Sequence, residues 1–138
     1  MKPLYHGAII INTYFDDRTL GLRWLLCYEE HDRPLVHLQK AAPIHCFASG
    51  EKIHVEKCPT RFGHISWTTE AEAGPENRPR WTVTIEFEKS YTADLVVRIH
   101  PPDRQPLRST SLGNLQRDRV VLPVSVLEGK TKVSLEIT

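Results

Sequence analysis

Seven histidines and three cysteines are the residues of this chain with the most obvious capacity for chemistry. The densest group contains His45, Cys46, His54, Cys58 and His64. Imidazole and thiolate groups bind zinc, but this spacing matches neither paired CxxC motifs nor HExxH. His54 and Cys58 fall on one predicted strand, which places their Cα atoms about 13 Å apart, too far for two ligands of one ion unless the strand breaks between them. The sequence therefore predicts no metal and no cofactor.

A thiol nucleophile would require a histidine beside a cysteine in space. Cys46 could pair with His37 or His64, because such partners are adjacent in the fold and not in the sequence. No GxSxG motif and no phosphate-binding glycine loop occurs in the chain. A small enzyme that uses Cys46 and a histidine stays open as one alternative, whereas buried reduced thiols are the expected state of all three cysteines.

Paired carboxylates for acid–base catalysis are not predicted. Glu70 and Glu72 lie on one predicted strand, Glu86 and Glu88 follow on the next, and all four fall in the outward phase of their strands. Acid–base catalysis would need two acids that face each other across a cleft. We interpret these glutamates as part of a solvated sheet face.

Exposed aromatic rings would favour sugar binding. Trp67, Trp81 and Phe87 are in phase with Val83 and Ile85, so the pattern predicts that their rings lie in the core. The aromatic residues that remain available for a surface platform are Tyr5, Tyr14, Phe15, Phe47, Phe62 and Tyr91. A free-standing carbohydrate-binding module is therefore a second alternative.

The elements that would hold these residues are mainly strands. From Glu51 onward, apolar and polar residues alternate in runs separated by Gly, Pro, Asn and Asp, which indicates half-buried strands. This pattern predicts a mainly β fold, an antiparallel β-sandwich or jelly roll over residues 51–138. The alternating runs are residues 53–56, 65–72, 80–87, 95–99, 120–124 and 132–137.

The first fifty residues are predicted to form an N-terminal arm, one short helix and a connecting strand and loop. Asp16 and Asp17 are suited to cap a helix whose buried face carries Leu20, Trp24, Leu25 and Tyr28. A strand is the alternative, because Gly21 weakens the helix by about 1 kcal/mol relative to Ala. Leu35–Leu38 is predicted as a strand, and the segment from Pro43 to Ala48 as one helical turn.

Length and charge limit the function classes. The 138 residues, of mass 15.9 kDa, suit one compact domain overall. Hydrophobic residues make up 40% and the formal net charge is +1, which favours a globular protein without a nucleic-acid partner. Ala8–Ile11 is too short an apolar run for a signal peptide or a membrane span. We therefore expect no membrane contact and a cytoplasmic location.

Residues 25–66 resemble the C-terminal region of large bacterial glycoside hydrolases with an (α/α)6 toroid, the six-hairpin class. The segment Leu-Leu-Cys-Tyr-Glu from Leu25 matches an L-L-x-x-E pattern, and residues 58–66 match A-P-T-x-F-G-x-[IV]-S. Residues 95–103 are similar to the L-R-L-R-H-P-x-G strand and turn of that family. The chain departs from the pattern after Pro43, where Ile-His-Cys-Phe replaces Arg-Ala-Trp.

The resemblance implies a non-catalytic β-sandwich that packs on a catalytic toroid. In such enzymes the catalytic acids belong to the toroid, so the resemblance implies no catalytic residue here. The expected partner is the toroid of a carbohydrate-degrading enzyme, or a second copy through the same surface, with a carbohydrate as a further candidate. The residues expected to contact the toroid or to line its cleft are Trp24, Leu25, Tyr28, His45, Phe47 and Arg61.

Overall fold

The computed structural model of the chain describes residues 8–12 and 26–138. It is mainly β, with two five-stranded sheets. The first sheet contains, from edge to edge, β1 (Ala8–Asn12), β4 (Lys52–Thr60), β5 (Gly63–Ala73), β6 (Pro79–Phe87) and β10 (Lys132–Ile137). The second contains β2 (Cys27–Glu29), β3 (Leu35–Leu38), β7 (Asp94–Arg98), β9 (Arg119–Leu122) and β8 (Asn114–Gln116).

Helical structure within the described residues is limited to short pieces. A 3-10 turn over Ile44–Phe47 confirms the helical turn that Pro43 predicts, and a second 3-10 turn covers Pro75–Asn77. The four-residue helix α1 (Val124–Leu127) follows Pro123, whereas the sequence pattern assigned Val124 to a strand. Proline directly before a helix is favourable, because its fixed φ suits the first turn and its missing N–H would have no helical partner.

Period-two alternation places one face of each long strand in the core. On β5, Ile65 and Trp67 are buried, while Ser66 and Thr68, which alternate with them, are half-buried. Trp81 on β6 is fully buried. Residues of both sheets belong to one buried apolar cluster, which also includes Val36, Leu38, Leu95, Val97, Val120 and Leu122. The prediction that the rings of Trp67, Trp81 and Phe87 lie in the core is confirmed.

The strand pairing is mixed. β4, β5, β6 and β10 pair in antiparallel fashion, as do β2 with β3 and β7 with β9. β1 pairs with β4 and β3 pairs with β7 in parallel. Every pairing between the strands of residues 51–138 is antiparallel, as predicted for that range, and each parallel pair involves a strand that precedes it.

The predicted N-terminal helix is wrong at its last residue. Tyr28 lies in β2 and pairs with His37 of β3. A three-residue strand is too short to carry a readable period, so pairing with β3 decides its conformation. Asp16, Asp17, Leu20, Trp24 and Leu25, together with Tyr5, Tyr14 and Phe15, lie outside the described residues.

A buried polar group joins the two sheets. Gln39, directly after β3, is fully buried, and its side-chain oxygen accepts hydrogen bonds from Thr69 Oγ1 at 2.5 Å and Trp67 Nε1 at 3.3 Å. Its amide nitrogen donates to the Arg98 carbonyl at 2.9 Å. Trp81 makes a related connection, since its Nε1 donates to the Phe47 carbonyl at 2.8 Å. The buried polar side chains of Gln39, Trp67, Thr69 and Trp81 are thus paired with partners from different elements.

Helices of the described segments are all short. None of them has the length and apolar character required to cross a membrane.

Candidate functional site

Arg61 lies in the turn between β4 and β5, and its side chain binds the loop between β2 and β3. Its guanidinium donates to the backbone carbonyls of Glu30, His31 (3.2 Å) and Arg33 (2.8 Å). A planar guanidinium carries several N–H donors, so this one side chain binds three carbonyl groups of the loop at once. The sequence-predicted residue Arg61 therefore organises local structure, while its side chain stays 43% exposed.

Glu29 contacts the same turn from the end of β2. Its carboxylate accepts a hydrogen bond from the backbone N–H of Arg61 at 2.9 Å, and its Oε1 also lies 4.0 Å from Arg61 Nε. Glu29 is the glutamate of the L-L-x-x-E segment, and Arg61 is the x of the P-T-x-F-G segment. The two sequence patterns that carry the family resemblance thus meet in space, through a backbone group that any residue at position 61 except proline would provide.

Thr60 holds the shape of the turn. Its hydroxyl donates to the Gly63 carbonyl at 2.7 Å and accepts from the Phe62 N–H at 3.2 Å. Because that single hydroxyl proton is used on Gly63, the Tyr91 hydroxyl must donate the bond of 2.7 Å between Tyr91 and Thr60. Gly63 has φ +118, a conformation that L side chains rarely adopt. Thr60 and Gly63 of this pattern therefore determine the shape of the turn.

Aromatic rings connect the turn with the core. The Arg61 guanidinium lies 4.9 Å from the centroid of the half-buried Phe62 ring. Phe62 meets Tyr91 edge-on at 6.0 Å, and Tyr91 stacks on Phe87 at 4.9 Å. Burial raises the pKa of the Tyr91 phenol above its usual range. Tyr91 is 1% exposed, so the interpretation that it was available for a surface platform is wrong.

The loop between β2 and β3 carries a charged cluster. Glu30 binds Arg33 through both carboxylate oxygens, and its Oε1 lies 3.0 Å from His37 Nε2. Hydrogen bonds from Arg33 and His37 lower the pKa of Glu30 from 4.5 to about 2. Burial lowers the pKa of His37, against the opposing effect of Glu30. Glu30 is therefore a carboxylate across the neutral range, next to a histidine whose neutral form is favoured.

Tyr28 lies on the other side of β2 from Glu29, because successive side chains of a strand point to opposite faces. Its ring lies 6.0 Å from the His37 ring, and Lys40 Nζ lies 4.2 Å from its centroid. A cation over a tyrosine face contributes about 0.5–1 kcal/mol at an exposed site. Tyr28 is half-buried on this face.

Phe47 does not belong to a surface site. It is fully buried, its carbonyl is bound by Trp81, and its ring meets His100 edge-on at 5.5 Å. The expectation that Phe47 contacts a partner or lines a cleft is wrong, because the 3-10 turn directs this ring into the core. His45 in the same turn is exposed.

The predicted site residues do not gather in one place. His45 lies in the turn before β4, and Arg61 lies in the turn after it. The nine-residue strand β4 lies between them in the sequence, and no contact joins the two described side chains. Trp24 and Leu25 fall outside the described residues. The local site that the structure assembles contains Glu29, Thr60, Arg61 and Tyr91, while Tyr28 lies on the other side of β2.

The cysteines are packed in the interior. Cys27, Cys46 and Cys58 are all reduced and buried. Burial raises the pKa of the Cys46 thiol, with a further contribution from Glu51. A nucleophilic thiolate requires the opposite shift and partial exposure.

Histidine and cysteine side chains of β4 point to different sides of the sheet. Cys58 is 1% exposed in the core, while His54 lies on the outer face against Thr68. A β-bulge between Val55 and Cys58 interrupts the register at this place. Within the described part of the chain, no three His, Cys, Asp or Glu residues are grouped so that they could hold a metal ion.

Sequence reasoning missed three residues of the assembled site. Glu29, Thr60 and Tyr91 make its hydrogen bonds, although Arg61 is the residue of this site that the sequence predicts. Glu29 and Thr60 belong to the two sequence patterns of the resemblance, so those patterns could have pointed to them. Tyr91 lies between strands, where no period exists to indicate its burial.

Comparisons were made with protein-family models, with curated proteins and with solved structures. None of the three gives a match to this chain.

Proposed function

We propose that this chain is a non-catalytic accessory β-sandwich domain of the kind found at the C-terminus of six-hairpin glycoside hydrolases. In this proposal the two sheets face each other, and the domain packs on a catalytic (α/α)6 toroid, which it stabilises. The proposal rests on the sequence resemblance together with one observation, the hydrogen bond from the Arg61 N–H to the Glu29 carboxylate.

That hydrogen bond supports the proposal because it gives the family-like residues a shared structural purpose. Glu29 binds the turn, Thr60 shapes it, Gly63 supplies its left-handed residue and Phe62 packs on Tyr91. Residues with such roles specify a fold and do not perform a reaction. A resemblance carried by them is thus a resemblance of domain type, which is what an accessory domain would show.

The sandwich arrangement is supported by the bonds of Gln39. Gln39 follows β3 of the second sheet, yet it accepts hydrogen bonds from Thr69 and Trp67 of the first. The buried cluster also draws on strands of both sheets. Two antiparallel-rich sheets with a common core are typical of a sandwich.

The surface assigned to the toroid is the edge of the domain at β2, with Phe62 and Arg61 on the adjoining turn and Tyr28 on the other side of that strand. Arg61 is exposed and its guanidinium has been ordered by the loop carbonyls, so little side-chain entropy remains to be lost on association. Tyrosine and arginine are the residue types enriched at binding hot spots. Phe47 is left out of this surface because it is buried.

A domain exchange tests the proposal. In a six-hairpin glycosidase, the C-terminal sandwich would be replaced by this chain, and the melting temperature and activity of the toroid would be compared with those of the toroid without a sandwich. We expect the chimera to melt at higher temperature, and an Arg61→Ala chimera to lose part of that gain. An unchanged melting temperature, or glycoside hydrolysis by the purified chain, would contradict the proposal.

A neighbouring-gene comparison is an independent test. If the chain is a separately encoded accessory domain, the adjoining reading frame should encode a helical toroid. Purified together, the two chains should co-elute, and the complex should weaken when Tyr28 is changed to Ala. Failure of that purified toroid to bind would contradict the assigned partner.

A further inference from the structure

A polar cleft lies on the outer face of the first sheet, away from the turn described above. It has a volume of about 240 Å³. Its floor follows one row of paired positions across three strands, His54 on β4, Thr68 on β5 and Thr84 on β6. The three side chains are half-buried, in contrast to the exposed Glu70 on the same face.

The β-bulge of β4 forms the rim of the cleft. At the bulge, Glu56 and Lys57 are both exposed in succession, whereas strict alternation would bury one of them. Lys57 has φ +50, a left-handed conformation that is uncommon for residues other than glycine, and its N–H donates to Ser66 Oγ at 2.8 Å. Bulges often redirect side chains beside functional sites. Here the bulge brings the acidic residue Glu56 and the basic residue Lys57 to the same cleft.

Two hydrogen bonds of His54 determine which atoms on the floor of the cleft donate and which accept. His54 Nε2 lies 2.8 Å from Glu56 Oε1, and His54 Nδ1 lies 2.6 Å from Thr68 Oγ1. The Glu56 carboxylate can only accept, so Nε2 carries the proton. In the neutral ring Nδ1 then accepts the proton of the Thr68 hydroxyl. The oxygen of Thr68 is left as an acceptor toward the cleft.

The cleft thus presents acceptors and donors close together. Acceptors are the carboxylates of Glu56 and Glu86 and the oxygen of Thr68. Donors are the ammonium of Lys57 and the hydroxyls of Ser66 and Thr84; the Ser66 oxygen already accepts from the Lys57 N–H. Each hydroxyl of a sugar both donates and accepts, so neighbouring sugar hydroxyls match such a mixed set better than any purely donating or accepting ligand.

We propose that this cleft is a binding site for a single neutral sugar residue, recognised through its hydroxyl groups. The volume lies below the about 300–1,000 Å³ of sites for drug-sized ligands, which suits a ligand of one ring. The lining has two carboxylates and one ammonium, and Glu86 is also paired with Lys132 at 3.9 Å, so the cleft has no excess of positive charge to select an anion; the described residues contain no metal-binding cluster. The proposal goes beyond the docking role and does not depend on it.

The test is a titration of the full-length, isotope-labelled chain with neutral methyl glycosides of gluco, galacto and manno configuration, followed by backbone amide resonances. For a ligand of this size we expect a Kd in the millimolar range. Shifts should concentrate on residues 54–57, 66–68 and 84–86. The imidazole nitrogen spectrum should report the tautomer with the proton on Nε2 of His54.

Matched variants make the test specific. Thr84→Val removes a hydroxyl from the cleft, and Thr82→Val removes one from the same face of the same strand, two positions away; both threonines are half-buried. We expect Thr84→Val to raise the Kd by about threefold to tenfold, the effect of losing one hydrogen bond, and Thr82→Val to leave it unchanged.

Three results would overturn the proposal. They are the absence of shifts with all three glycosides, equal loss of affinity in both variants, or shifts at the cleft with calcium chloride or sodium phosphate that exceed those with the sugars. None of these results bears on docking to a toroid. The proposed function is tested separately by the chimera.

Discussion

The side-chain oxygen of Gln39 lies 2.5 Å from the hydroxyl of Thr69, and this contact joins the two sheets in the middle of the core. Gln39 follows β3, has φ +64 and is fully buried. Thr69 is 2% exposed on β5. A paired amide inside a core contributes little net free energy, but its loss leaves buried donors without an acceptor, which is costly.

Gln39→Asn should therefore destabilise the protein strongly. Asparagine tolerates the left-handed backbone but is one methylene shorter, so the Thr69 hydroxyl and the Trp67 N–H lose their acceptor. We expect a loss of about 2–6 kcal/mol in the free energy of unfolding, at about 1–3 kcal/mol for each of the two orphaned groups. Thr69→Val, which removes one bond and keeps the shape, should cost less. Urea unfolding measures both, with Gln116→Asn at an exposed position as the control.

Thr60→Val should cost more stability than Tyr91→Phe. The valine removes the acceptor of Tyr91 and Phe62 and the donor to Gly63, while the phenylalanine removes only one donor. The tyrosine change should cost about 1 kcal/mol and the threonine change about twice that. Thermal unfolding of both variants is the measurement. Equal losses would show that the Tyr91 bond carries the whole contribution of Thr60.

Gly113→Ala should be far more damaging than Gly129→Ala. Both glycines have positive φ, +82 and +74, so both substitutions introduce backbone strain of about 1–2 kcal/mol. A Cβ at position 113 would also lie 2.7 Å from Leu122 Cδ2 and from the Val121 carbonyl, whereas position 129 is open. Overpacking adds about 1–3 kcal/mol, so the difference between the two variants isolates the clash. Similar unfolding midpoints would argue against the close approach of residues 113 and 122.

Acid should weaken the fold through Glu30. Its pKa is lowered from 4.5 to about 2, so its stabilising contribution is complete above 4.5 and is lost as the pH falls toward 2. Glu30→Gln removes this titration and should flatten the dependence of the unfolding free energy on pH in that window. Glu72→Gln, an exposed position of β5, should leave the dependence unchanged. Guanidinium unfolding at a series of pH values measures the slopes.

Titration of His37 should change the stability of the protein in a higher pH range than titration of Glu30. Burial lowers its pKa below the usual 6.5, so between these two values the unfolded chain binds more protons than the folded chain. Stability should therefore decrease as the pH falls from 6.5 to the folded pKa and then become level. In His37→Gln this step should be absent, and imidazole proton resonances of the parent protein should report the lowered midpoint directly.

Much of the fold could be predicted because long strands repeat their pattern. β5 and β6 alternate over many residues, so each apolar position reinforces the assignment of Trp67 or Trp81 to the core. Tyr28 was assigned to a helix because two or three apolar spacings in a short segment fit either period. Pairing with β3 settles its conformation, and that pairing involves residues distant in sequence.

The candidate site was harder to predict than the core. Arg61 was named from the pattern around it, but Phe47 was expected at the surface because turns are usually exposed. Its burial depends on Trp81 and His100, which come from other elements. Gln39 gave no signal at all, since a glutamine after a strand is normally solvated. Tertiary contacts decide these positions, and local sequence does not encode them.

The parallel pairing of β1 with β4 has a consequence for the order of assembly. β4, β5 and β6 are consecutive neighbours and can form from local contacts, while β1 must return from a distant part of the chain to complete the sheet. Until it does, β4 presents an uncovered backbone edge between Lys52 and Glu56, and such edges recruit strands from other molecules. Self-association during refolding should therefore compete with the arrival of five N-terminal residues, and dilution should favour the native pairing.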